Sequence, residues 1–261
     1  MRVVPDVVFG GIGDADGRGL RFRQLVIEAR QAQQLFQQSI DLDPNFVSGY
    51  ARLALIHLDF GSIWGMESMS EAQAAAEQWT RRGVALDGAD PQARTMLSVA
   101  LYMRGDYVGA VTEARNALVL SPNLAEAHGV LGQALIFSGR PQDGIASLAT
   151  CIRLDPRSPR LAVRLNHVAI GHYLSRQYEA AAMAAAQAIR SYPDYPLPYH
   201  WLAASLGQLG QVEQGKEVLE KIMATGSLAF DVWVRQRAPW VRAEDHAHMI
   251  EGLRKAGMPV E

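Results

Sequence analysis

The residues suited by type to do chemistry are few in this chain. Glu244, Asp245, His246 and His248 crowd one short stretch and carry the nitrogen and oxygen donors that a zinc site uses. On a helix, positions two apart do not face each other, so the two imidazoles cannot readily share an ion, and the stretch reads as a solvated cap helix. His167 and His172, five apart, also diverge and read as packing or groove-lining residues. The glycine-rich GGIGDADGRG invites a phosphate-loop or calcium-loop reading, but it lacks the Gly-Lys-Ser/Thr ending, and counting from Asp14 puts Leu25 where a bidentate Glu must sit. Trp233 and Trp240 alternate with Arg235, Arg237 and Arg242 in VWVRQRAPWVR, a pattern able to stack bases. One such patch on a near-neutral chain is better explained by a cap packing onto the body of the protein.

Composition narrows the classes further. With 261 residues, 49% of them hydrophobic and 20% charged, the chain is long enough for one or two domains and too apolar for global disorder. A net charge of -2 supplies no basic field for nucleic acid. The single cysteine, Cys151, excludes an intramolecular disulfide and fits a reducing compartment. The apolar start is broken by Pro5 and Asp6, and no run of about 18 apolar residues follows, so a signal peptide and a membrane span are both unexpected and a cytoplasmic location is expected.

The elements that must position any site show themselves as a repeat. The phrases IDLDPN, VALDGA, LVLSPN, IRLDPR and IRSYPD share one shape, and Pro44, Gly88, Pro122, Pro156 and Pro193 are spaced by 44, 34, 34 and 37 residues. Each copy holds two runs of helical periodicity separated by a turn such as RGDY or SGRP, which predicts a helical hairpin. Small residues recur where two helices must cross closely: Ala54, Ser98, Gly132, Ala169 and Ala203 on the first helices, and Ala32, Ala76, Ala110, Gly144, Ala181 and Gly215 on the second. A larger side chain there would cost roughly 1 to 3 kcal/mol of overpacking. The Cys151 position reads Ser39, Gly83, Ala117 and Ala188 in other copies and Ile222 in the last, so the thiol is expected to act as small filling.

This pattern resembles the tetratricopeptide repeat, with relaxed aromatic positions. The resemblance implies an all-α, right-handed superhelical solenoid of about five to six repeats over residues 21–226, with residues 1–20 as a flexible lead or linker remnant and 227–261 as C-terminal capping helices. In AEDHAHMIEGLRKAGMP the acids of the first turn, Arg254 and Lys255 of the last, then Gly257 and Pro259, complete the cap. In that family the first helices line a concave binding face. Its inward positions map here onto Arg52, Leu55, Thr95, Val99, Tyr102, Val130, Gln133, Phe137, Asn166, His167, Ile170, Tyr173, His200 and Trp201. The places of the chaperone-binding carboxylate clamp hold Ala51, Leu55, Thr95 and Val99, which disfavours that clamp. An apolar partner segment suits the face better, unless the protein's own N-terminal segment or cap fills part of it.

Longer phrases, LFQQSIDLDPNFVSGYARLALIHL, WGMESMSEAQAAAEQW, FSGRPQDGI, LDPRSPRLAVRLNHVAIGHYLSRQYEAA and EGLRKAGMPVE, are similar to the C-terminal repeat module of bacterial class III adenylate/guanylate cyclases, whose relatives follow winged-helix domains in some transcriptional regulators. The cyclase catalytic domain itself has no counterpart in this sequence, so no catalytic residue is carried over. The expectation is a non-enzymatic interaction scaffold without cofactor or metal, binding a protein segment and regulating a signalling output domain. The alternatives are a part or companion of a cyclase and the effector module of a transcriptional regulator. Met66, Met69, Met96 and Met103 are expected to fill apolar gaps. The insertion from Ile63 to Met69, with Trp64, could be a binding loop or a packing wedge.

Overall fold

A computed structural model describes residues 18–62, 68–193, 195–224, 231–238 and 240–258. Among them are α1 (Arg18–Leu42), α2 (Val47–Ser62), α3 (Met69–Leu86), α4 (Pro91–Met103), α5 (Tyr107–Leu120), α6 (Ala125–Phe137), α7 (Pro141–Leu154), α8 (Leu161–Leu174), α9 (Tyr178–Ser191), α10 (Leu197–Gln208), α11 (Val212–Ala224), a π-helical turn (Asp231–Arg235) and α12 (Ala243–Lys255), and no strand. The even helices α2 to α10 are the first helices of five hairpins; the odd ones are second helices, with α1 standing as an unpaired opening helix that packs on α2. The glycine-rich stretch around Asp14, and the insertion as far as residue 67, lie outside the described residues.

Each hairpin forms for reasons readable in its own residues. Asp90 caps α4 by accepting from the amides of Gln92 and Ala93, with Pro91 preset for the first turn, and Ser68 and Glu71 form a capping box on α3. Between the two helices of a hairpin the chain turns through the left-handed region at Gly105, Gly139 and Gly210; Arg176 takes the same place in the fourth hairpin at φ 59°, where a side chain is strained. The loops that enter four of the five first helices are each held by a side chain six residues on. Tyr50 donates to the Pro44 carbonyl and Tyr199 to that of Pro193, both at 2.9 Å, Arg94 donates to the Gly88 carbonyl at 2.7 Å, and the His128 ring meets the Pro122 carbonyl at 2.9 Å. Four different copies thus do one job with three side-chain types. The Pro156 copy has Ala162 in that place and lacks the device.

The small positions predicted from the repeat are buried in the helix crossings. The tightest is reciprocal: a Cβ on Gly132 would stand 2.8 Å from the Gly144 carbonyl oxygen, and one on Gly144 2.6 Å from that of Gly132. Neither backbone can retreat without losing its packing, so both sites exclude any side chain. Cys151 is buried at the crossing of α7, and burial raises its thiol above the ordinary range, as filling requires. Met103 is buried, and Met69 and Met96 pack against the same continuous core that runs from Ala54 to Ala256. Met66 lies outside the described residues.

Beyond α11 the chain does not add a further hairpin. Instead α12 packs on α10, where Gly207 and Gly252 bring the two backbones together. It ends as the first helices do, with Gly257 at φ 96° and the Met258 amide donating to the Leu253 carbonyl. No helix among the described residues is long and apolar enough to cross a membrane.

Candidate functional site

The inward faces of α2, α4, α6, α8 and α10 form one groove, and its two lengthwise halves differ. Across α6, α8 and α10 the groove is filled by the protein's own C-terminal segment. Trp233, on the π-helical turn, sits 6.2 Å from Phe137, 5.9 Å from His200 and 6.4 Å from Trp201, ring centre to ring centre, and Trp240 stacks edge-on behind it at 5.6 Å. Two tyrosine hydroxyls donate to backbone carbonyls of the segment, Tyr173 of α8 to His248 at 2.8 Å and Tyr107, at the start of α5, to Trp240 at 2.7 Å. Phe137, Tyr173, His200 and Trp201, expected to face an open groove, are therefore buried at 1% exposure or less. The physical reason is that a strip of rings spanning three helices is too apolar to be left to water. Thr95, Val99, Tyr102, Val130, Gln133, Asn166, His167 and Ile170 are buried as well; of the predicted positions Arg52 alone is exposed and Leu55 is half-buried.

Burial also sets the charge state of this half. His200 is pushed down to about 3 and His167 to about 4, in each case first by loss of solvent, so both imidazoles are neutral at pH 7. His167 is held by the Val163 carbonyl at 2.8 Å, with Phe137 edge-on at 6.1 Å. Both ring nitrogens of His200 and the indole nitrogen of Trp201 are buried without a hydrogen-bond partner. His172 meets the Gln177 side chain at 2.7 Å in the hairpin turn, away from His167. The cap helix is not the solvated one expected: its His248 packs against Tyr173 and meets the Tyr178 hydroxyl at 3.0 Å, and His246 meets the Val234 carbonyl at 3.0 Å. Among the described residues no three metal-ligating side chains converge.

The other half, along the N-terminal ends of the first helices, is an open cleft of about 650 Å³. Arg52, Leu55, Thr95 and Met96 form one wall, Leu124 and Glu126 the floor, and Arg160, Val163, Tyr192 and Tyr195 the far side. Glu126 is the electrostatic centre. Burial raises its pKa, but the Arg164 and Arg160 guanidinium groups more than reverse this and hold it below the usual carboxylate range. Arg160 reaches it at 3.2 Å, and Arg164, 2% exposed, pairs with its other oxygen while lying flat against Gly129, where a Cβ would stand 2.8 Å from the guanidinium carbon. The repeat reading passed over Glu126, Arg160 and Arg164, yet a signal existed. Glu126 and Arg160 are 34 residues apart, so they occupy one register position in successive copies with opposite charge, and Arg164 lies one helical turn beyond.

Comparison with known proteins fits this architecture. Tetratricopeptide-repeat family profiles match residues 65–125 and 125–158. The transcriptional regulator HilA of Salmonella typhimurium is 22% identical over 206 residues, which are 78% of this chain and 37% of that protein, so the chain spans little more than a third of the length of the curated relatives it matches. Among solved structures, the Cut9–Hcn1 hetero-tetramer of APC/C superposes with a TM-score of 0.67 at 13% identity, covering 89% of this chain and 41% of the other. TTC0263, a tetratricopeptide protein of Thermus thermophilus, superposes with a TM-score of 0.56 at 19% identity, covering 71% of this chain and 95% of the other. Small residues at the helix crossings and Schellman-type turns between helices suit that repeat; the chain carries tetratricopeptide repeats over residues 65–158, and its described residues form an all-helical solenoid of the kind seen in tetratricopeptide structures.

Proposed function

We propose that the chain is a non-enzymatic scaffold that takes a segment of a partner protein into the open half of its groove. The observation that carries this is the 650 Å³ cleft itself, which no described part of the chain fills and which combines apolar walls with charged groups at its rim. Tetratricopeptide arrays are built for binding along such faces, because stacked hairpins curve and expose a long concave surface. Of the inward residues, Arg52, Leu55 and Thr95 contribute to this cleft, whereas Phe137, Tyr173, His200 and Trp201 serve the cap. The test is site-directed photocross-linking. A photoreactive residue at Leu55 is expected to capture a discrete partner that the same residue at the exposed Val119 on α5 does not; equal capture at both sites would sink the proposal.

The likeness to HilA favours one form of this reading, in which the array is the effector module of a transcriptional regulator. It predicts a winged-helix domain encoded in frame before Met1, and a reading frame without one would remove it. The resemblance to cyclase repeat modules suggests a different output domain. For that form the assay is incubation of the chain with ATP or GTP and manganese, where no cyclic nucleotide is expected; product formation would overturn the non-enzymatic reading.

A further inference from the structure

A solenoid of hairpins is held in series: each hairpin packs on the next, and the play at one interface adds to the play at the others along the array. A terminal cap need cover only the last hairpin. The C-terminal segment does more, because its contacts advance along the array in step with its own sequence. The Trp240 carbonyl accepts from Tyr107 of the second hairpin at 2.7 Å. Two residues on, the Arg242 guanidinium lies against Gly139 of the third, where a Cβ would stand 2.9 Å from the guanidinium carbon. His248 meets the fourth hairpin twice, its carbonyl accepting from Tyr173 at 2.8 Å and its ring meeting the Tyr178 hydroxyl at 3.0 Å. Lys255 donates to the Gln208 side chain of the fifth at 2.8 Å, beside the close approach of Gly252 to Gly207.

The segment is itself braced. Arg242 pairs with Asp245 through two bonds of 2.7 and 2.9 Å at the start of α12, His246 meets the Val234 carbonyl at 3.0 Å, and Trp233 packs edge-on against Trp240 at 5.6 Å. From Ala243 to Lys255 it is α-helix, whose rise of about 1.5 Å per residue fixes the spacing of the contacts it makes. We infer that this segment is a strap that locks the curvature of hairpins two to five, acting in parallel with the packing of each hairpin on the next. Thr95 and Met96 on one wall of the open cleft and Arg160 and Val163 on the other belong to the second and fourth hairpins, so the strap also fixes the separation of those walls. The lock operates whether or not the cleft takes a partner. Docking carries a cost of its own: both ring nitrogens of His200 and the indole nitrogen of Trp201 are buried without a partner beside Trp233, and undocking relieves this.

The test is the distribution of distances between pairs of spin labels on the full chain, in a Cys151→Ala background, by pulsed dipolar spectroscopy. Val119 on α5 and Glu217 on α11 are exposed and span hairpins two to five; Gln38 on α1 and Val119 span the first hairpin and serve as the control pair. With Trp233→Ala the distribution between Val119 and Glu217 is expected to be about 2-fold wider, and that between Gln38 and Val119 unchanged. Tyr107→Phe deletes the bond to Trp240 but keeps the ring, and is expected to widen the same distribution by less; it decides the matter alone if Trp233→Ala does not fold. Unchanged width in both variants overturns the lock, as does equal widening of the control pair, which would mean a general loosening. Either failure leaves the scaffold reading standing.

Discussion

The two parts of the groove are lined by overlapping sets of first helices, α2, α4, α6 and α8 for one and α6, α8 and α10 for the other, and meet opposite fates. One half presents Phe137, Tyr173 and Trp201, and the protein's own Trp233 and α12 close over it; the other presents Arg52, Leu55 and Glu126, and no described residue covers it. Side-chain chemistry decides the difference. A contiguous aromatic strip gains roughly 25 cal/mol for each square ångström withdrawn from water and is covered by a segment of the same chain, whereas a charged cleft gains little from an apolar cover. The closed half is occupied by a helix and a π-turn of the same chain, with Trp233 against the groove rings and backbone carbonyls accepting from tyrosine hydroxyls.

The comparison can be broken from the closed side. Trp233→Ala removes the ring that joins α6 and α10 to the cap and is expected to cost about 4 kcal/mol in chemical denaturation, with faster amide exchange confined to α10 and α12. Gly252→Val sets a branched side chain 2.7 Å from the Ala204 carbonyl oxygen and is expected to cost about 3 kcal/mol, read as a lowered melting temperature and early proteolysis in the cap. If either variant loses the open cleft as readily as the cap, the halves are not separable.

Acid sharpens the contrast, because buried neutral histidines sit in the closed half. The unfolded chain takes up a proton on His200 near pH 6.5, whereas the folded one does not until about pH 3, so stability is full above the unfolded value and falls as pH drops through that window. A loss on the order of 2 kcal/mol between pH 6.5 and 5 is expected in urea titrations, and His200→Phe should flatten the dependence; an unchanged slope would place the acid sensitivity elsewhere. The smallest expected effect lies outside both halves. Arg176→Gly should relieve the left-handed backbone of its turn and raise stability by up to about 1 kcal/mol by thermal melt, with the groove unaffected.

Much of this architecture is legible in the sequence. The repeat spacing, the small residues at each crossing and the Gly257 stop specify hairpins, stacking and the end of the cap, because those features depend on local periodicity and on the absence of a Cβ. The quiet role of Cys151 follows from Ala and Gly at the same register. The site is less legible. Register places the inward positions on the first helices, but it cannot say which of them another part of the same chain will cover. His248 lies in a stretch with Glu244, Asp245, His246 and Glu251, which reads as solvated, yet it packs on Tyr173 because α12 docks on that face.

The sequence alone determined the architecture: a 34-residue period forces each hairpin onto its neighbour, since one hairpin cannot bury its apolar face alone. Tertiary structure alone decided where the groove is open. That depends on the path of residues 231–258 back across α6, α8 and α10, a contact spanning up to 133 residues of chain between Tyr107 and Trp240, and on the meeting of Glu126 with Arg160 and Arg164 across a helix boundary. Such long-range pairings are set by the balance of apolar burial against charge desolvation at each surface, and only the folded array brings those surfaces together.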